Sequence, residues 1–371
     1  MNWQRWTFRA LDTCFFRDAQ PFNAGEGGYT TAKSIFPPAM TTLQGAVRTM
    51  LAMAQGWRPG DDALWPPELG DPDDLGKLEL RGPYIRFENQ MYFPMPLILL
   101  EKSGNFTRLT PGEPVTCDIG NVRLPVPAPH IEGAKLPEGL YLLQQGLCSV
   151  LEGNVPDQNH IQNYIKKASE LWSEEQRIGL ERDDNSRTAL EGQLYNCTHV
   201  RPTANVNLVV YVSGIPAEWR VAGQRVIPLG GESRLAAVAV TAAAEPVDLL
   251  PPAPPLTCGD DGKLRFTVTL ITPGWYGEPA DVERVIRQGP PGVPGCCISA
   301  CIGKAQQIGG WDLVNHRPRP LIPVLPPGST WFYEADAADA GRVAGLHGQC
   351  LGPRAAYGFG QIVIGRWEEK K

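Results

Sequence analysis

Alternation of apolar and polar residues begins almost at once. Trp6, Phe8 and Ala10 interleave with Arg5, Thr7 and Arg9, which predicts a strand over Trp3–Leu11 with one face buried. The period then changes. Leu43, Ala46, Val47, Met50 and Leu51 recur at helical spacing, and Thr41 or Thr42 is placed to cap the helix they predict. Strand, crossover and helix open a βαβ unit. Alternation returns over Leu78–Phe87 and Met91–Lys102, a hairpin turning at Glu88 and Asn89. After the Pro-rich stretch Pro125–Pro129 come an apolar segment, Tyr141–Leu151, and a polar one, Asp157–Glu175, predicted to include a helix.

Arg177–Arg187 and Gly192–Tyr195 read as the arms of an exposed hairpin, because Asp183–Ser186 is a strong turn signal. Further strands are predicted at Asn205–Val212, Arg234–Val240, Leu264–Ile271, Cys297–Ile302, Ser329–Glu334 and Gly360–Arg366, with a short helix near Ala335–Val343. Strand-rich sequence with scattered helices indicates an α+β fold. A chain of 371 residues fits two domains, each able to bury a core. Pro246–Pro255 is the clearest Pro-rich separator, but the second run of strands starts earlier. The expected division is therefore 1–205 and 206–371.

Composition narrows the classes. With 40 glycines and 36 prolines the chain is rich in turns and irregular loops. No apolar run approaches the ~20 residues that span a bilayer, and Met1–Trp6 lacks a signal-peptide core, so a cytoplasmic protein without membrane association is expected. Nine cysteines then read as reduced thiols, and the cluster Cys296, Cys297, Cys301 sits in a predicted strand without the paired spacing of a zinc site. No metal or cofactor is expected. The net charge of −6 argues against a generic nucleic-acid coat, yet it is unevenly spread. Residues 1–60 carry six Arg/Lys against three carboxylates, and residues 316–371 seven against five. The two basic ends would form one anion-facing surface if they meet in space.

The segment Gly345–Gly360 is dense in glycine and holds Arg354. Such a loop suits a phosphate or phosphodiester chain approached by backbone N–H groups, or simply a tight turn leading into Ile362–Ile364. It lacks the Lys-Ser/Thr ending of a P-loop and does not open a strand–helix unit, which sets aside both nucleotide fingerprints.

Several segments in one order carry a family resemblance: Leu11–Asp18, Pro21–Gly25, Ser34–Pro38 running into Thr42–Arg48, Arg177–Leu180, Arg187–Ala189 with Gly192–Tyr195, Gly230–Arg234, Gly309–Asp312 and the Gly-rich loop. Together they resemble the family of third subunits of the Cmr complex, the type III-B CRISPR effector, in the RAMP superfamily. The resemblance implies two ferredoxin-like (RRM-type) modules with insertions and an exposed β-hairpin thumb. It implies a non-catalytic subunit that holds the 5′ repeat tag of the guide RNA. The partners it implies are the large polymerase-like subunit, the backbone RAMP subunits and, indirectly, target RNA. On that basis Gly352, Arg354, Gly358 and Gly360 lie against RNA, and Arg177, Arg182 and Arg187 belong to the thumb beside the first guide base. Arg17, Asn23, Lys33 and Arg48, the last expected on the outward face of the first helix, complete the RNA-contact candidates.

Phe15, Phe16, Phe22 and Phe36 are either base-stacking platforms or local core, and loop aromatics are more often core. Some RAMP relatives cut RNA with a histidine as general acid or base. That keeps a metal-independent endoribonuclease processing repeat RNA as the alternative function, with His347 as its one plausible catalyst among His130, His160, His199, His316 and His347. A scaffold without RNA contact is the third reading, in keeping with the net acidity.

Overall fold

The computed structural model describes residues 2–18, 31–117, 120–155, 161–183, 185–219, 221, 223–312 and 317–368. It is a mixed α+β protein built on two antiparallel sheets. The larger has eight strands, the second to fifth of which are Leu235–Ala243, Trp3–Ala10, Val206–Ser213 and Glu79–Phe87. Trp3–Ala10 has strands from beyond residue 200 on both sides, with Arg5 opposite Tyr211 on one and Thr241 on the other. The second sheet runs Cys296–Cys301, Thr330–Asp336, Lys263–Leu270, Ile362–Arg366.

The alternation in the first strand acts as predicted. Trp6 and Phe8, both almost fully buried, point to the core shared with the helix Met40–Ala54, whose Leu43, Val47, Met50 and Leu51 face them. Each such side chain contributes roughly 1.5–3 kcal/mol on leaving water. The helix begins earlier than a threonine cap would place it. Its N-cap is Ala39, extended at φ −61° and ψ 148°, so Thr41 and Thr42 fall inside the first turn. A middle core, with Trp3, Tyr84, Val209 and Tyr211 of the first sheet, Phe332 and Val363 of the second, and Trp367 just after its last strand, joins the two sheets. The outer face of the second sheet packs Phe266, Trp331 and Ile364 against Val282 and Val285. Those two valines belong to a helix, Pro279–Gln288, that periodicity reading missed.

The division expected at 205/206 does not follow the sheets. Val206–Ser213 pairs with both Trp3–Ala10 and Glu79–Phe87, so it lies inside the first sheet, and Leu235–Ala243 belongs there too. Strands of the second sheet begin only at Lys263. The Pro-rich stretch Pro246–Pro255, with few backbone donors to continue a ladder, lies between the strands of the two sheets.

Other predicted elements are found close to their places. The first hairpin turns at Glu88 and Asn89, both at positive φ (48° and 68°), as a tight two-residue turn requires. Cys296–Cys301 is a strand. The polar region resolves into the short helices Ile161–Tyr164 and Ala168–Leu171, and the chain is already extended from Trp172.

Candidate nucleic-acid interface

The exposed hairpin exists and is longer than the sequence suggests. Trp172–Arg182 pairs with Ala189–Pro202, and the short strand Thr31–Lys33 adds to it in parallel. Its turn is held by Asp183, whose carboxylate accepts from the N–H groups of Asn185 (3.1 Å) and Ser186 (2.7 Å). At Gly179 the backbone lies under the ring of Tyr195, its cross-strand partner, and a methyl group there would overlap that ring at 2.1 Å. Alternate residues from Glu174 to Arg182 are exposed. Two of them are apolar: Ile178 is 70% exposed and Leu180 50%. Arg182 and Arg187 lie exposed at the tip end.

Arg177 is differently placed. It donates to Glu175 and to Asp12 (3.2 Å), in a network that also joins Arg201 and Arg234 to Asp12. Burial works against ionisation of Asp12, but the Thr13 N–H and the guanidinium groups of Arg201 and Arg177 hold its pKa below the ordinary aspartate value. The charge of Arg177 is thus spent on anchoring the hairpin root to the loop after the first strand. Arg17 and Lys33 are exposed beside that root; Arg17 bridges Ser34 through the main chain, and Lys33 lies opposite Thr198. Asn23 and Phe22 fall outside the described residues. Phe15 and Phe16 are buried, Phe15 stacked on His199 at 5.0 Å, and Phe36 packs on Trp172 at 4.9 Å. These three are core.

The remaining candidates form a separate group. Arg48 is buried rather than outward-facing: it donates to Asp71 O at 2.6 Å and lies over the Trp65 ring at 5.3 Å. Arg354 donates to the neighbouring Asp73 O and to Tyr357 Oη (3.1 Å), stacked over Tyr357 and Trp275. The two arginines therefore grip one loop that carries Asp71, Asp73 and Asp74. Three carboxylates beside them make this a poor seat for phosphate.

The Gly-rich loop is a weld between the sheets. Gly358 N donates to Ala355 O and Gly360 N to Pro273 O (2.7 Å), so two of the three glycine N–H groups expected to reach phosphate are already bonded within the protein. Thr272 Oγ1 donates to Gly358 O at 2.7 Å, and Tyr84 Oη, in the first sheet, donates to Gln361 Oε1 at 2.6 Å. Gly358 and Gly352 have positive φ (86° and 122°) and are glycine for close approach. A methyl group at 358 would sit 3.1 Å from Leu80 O, and one at 352 would sit 2.8 Å from Trp275 O.

His347 is buried with both ring nitrogens engaged. Nδ1 accepts from Ile364 N–H (3.1 Å), so the proton sits on Nε2, which donates to Pro251 O (2.9 Å). Burial pushes its pKa below the usual value. This is the geometry of a structural histidine. No helix of the described residues is long and apolar enough to cross a membrane.

Two joined antiparallel sheets carrying a long exposed ribbon define a strand-rich α+β class. The comparisons then narrow it. A family profile, CRISPR-associated protein (Cas_Cmr3), matches residues 6–367. The chain belongs to that family, and it is a CRISPR effector-complex subunit. Two solved chains have the same fold, from the Type III-B Cmr-beta complex bound to cognate target RNA, one of them also with AMPPnP. Each is 16% identical at a TM-score of 0.51, over 88% of this chain and 86% of the other. Among curated proteins, none matches.

Proposed function

We propose that this chain is a non-catalytic, RNA-binding subunit of a type III-B ribonucleoprotein. It holds the 5′ repeat tag of the guide and docks on the large polymerase-like subunit beside the backbone RAMP subunits. The observation that carries the reading is the ribbon Trp172–Pro202, with Ile178, Leu180 and Arg182 exposed in alternation. Apolar side chains that stay in water on a rigid two-stranded arm suit insertion beside a splayed base, and the neighbouring cations suit the phosphates around it. Each sheet core also has the strand order of a ferredoxin-like module, with strands one to four arranged 4-1-3-2. In the first module a long insertion separates the second and third strands, and in the second Pro279–Gln288 and Ala340–Ala344 supply both helices. The alternative endoribonuclease has lost its most plausible base, since His347 is committed to two backbone partners.

Replacing Asp183–Leu190 by a short Gly-Ser turn tests the reading, because hairpin tips tolerate such change. The shortened subunit should assemble normally yet alter pairing at the first guide base or activation of the large subunit. Parental behaviour in assembly, target cleavage and signalling would refute the thumb role.

A further inference from the structure

The face of the first sheet opposite the helix Met40–Ala54 is covered only at one end, where Trp3, Tyr84, Val209 and Tyr211 enter the middle core. Beyond them the same face opens into a groove of about 580 Å³. Its floor is low because Ala237 and Ala239 stand where long side chains would fill it, and its walls carry Arg9, Arg86, Asn207 and Gln224. Among the described residues Glu88 is the one carboxylate along its lining.

The pairing fixes the spacing. Arg86 lies opposite Asn207, and Arg9 lies one strand further on, opposite Ala237. The two arginines are therefore two strand spacings apart, about 10 Å. Arg5 follows on the face of Arg9, and the Nε atoms of Arg5 and Arg86 are buried with no hydrogen-bond partner among the described residues. Burial, and next to it the like charge of Arg5, depress the pKa of Arg86. An anion in the groove beside Arg86 would offset that repulsion.

We propose that this groove is a second RNA-contacting site, seating a short single-stranded stretch with phosphates on Arg9 and Arg86 and base edges on the amides of Asn207 and Gln224. The inference rests on the reading of the chain as an RNA-binding subunit but uses none of the hairpin residues. Side-chain amides both donate and accept, as a base edge does, and the arginines beside them suit phosphates. Among the described residues the open part of the face has no aromatic side chain in its lining, so contact is through phosphates and edges rather than stacking.

The test uses the assembled ribonucleoprotein with a guide containing 4-thiouridine. After irradiation, cross-linked peptides are mapped in the parent and in an Arg9→Glu/Gln224→Glu variant. Both side chains are exposed, and an unchanged Tm checks that the fold is kept. The parent should cross-link in peptides holding Arg9 or Asn207. The variant should lose that yield about tenfold, the value of one charge-assisted contact, with hairpin cross-links unchanged. Groove cross-links that are missing, or that persist undiminished in the variant, overturn the groove while hairpin cross-links leave the proposed function standing. RNA cross-links nowhere on the chain overturn both. A variant that loses partner subunits but keeps its RNA cross-links makes the groove a protein-docking site, and the proposal fails.

Discussion

Gly358→Ala probes the weld between the sheets with a single carbon. The residue has φ 86°, which costs an alanine about 1–2 kcal/mol in strain. Its new methyl group would also stand 3.1 Å from Leu80 O and 3.2 Å from Gly82 O, two backbone atoms that cannot swing away. Crowding of that kind adds about 1–2 kcal/mol. Gly56 supplies the control, because its φ is 94° but nothing lies within 4 Å of a methyl group there. A chain of 371 residues has an unfolding entropy of about 0.8 kcal/mol/K. Gly358→Ala should then lower Tm by about 4 °C and Gly56→Ala by about 2 °C, measured by calorimetry on the full chain. Guide retention in assembled complexes should change only in step with stability, since the Gly358 N–H is already bonded to Ala355 O. Equal shifts for the two variants would show that the approach to Leu80 and Gly82 carries no energetic weight. Guide loss without a Tm change would restore the phosphate role to this loop.

Arg354→Ala should cost about 1 kcal/mol by urea unfolding, because Arg354 bonds Asp73 O and stacks on Tyr357 and Trp275; unchanged stability would contradict its role as an anchor. The pKa values of His347 and His199 are both lowered, by burial first, and for His199 also by Arg234 and Arg177. A depressed histidine contributes stability above its unfolded value of 6.5 that is lost as pH falls below it. The urea midpoint should therefore drop from pH 7 to pH 5, and less steeply in His347→Asn, which removes one of the two groups. The free chain should bind tag RNA weakly at physiological salt, given its charge of −6, and gain affinity only within the complex; tight binding in a filter assay would contradict this.

Much of the fold was legible because period-two alternation survives wherever one sheet face is wet and the other dry. Trp6 and Phe8 against Thr7 and Arg9 is the clearest case. Pro279–Gln288 carried its own signals, Pro279 at the first turn, Val282, Val285 and Ile286 at helical spacing, and Gly289 after it. They were overshadowed by the adjacent Gly-Pro run. The sheet membership of Val206–Ser213 was hidden for another reason: no local pattern reveals that it fills the gap between two strands made long before it. At the site, residue type exposed the hairpin but not the state of its charges. Arg177 and Arg48 read as phosphate ligands until Asp12, Asp71 and Trp65, distant in sequence, came into contact with them. Arg9 and Arg86 were overlooked as binding residues because pairing across three strands, rather than spacing in the chain, brings them to one groove.

The placement of the first strand has a consequence for synthesis. Trp3–Ala10 is synthesised about 200 residues ahead of its partners, Val206–Ser213 and Leu235–Ala243. At about 5–20 residues per second, it waits on the order of 10–40 s with Trp6, Phe8 and both edges unpaired. Contacts of such long sequence separation also close slowly once available. A nascent chain stalled or truncated before Val206 therefore exposes a sticky strand with neither partner made. Its yield in a cell should depend on holding chaperones during elongation more than on the stability of the finished fold.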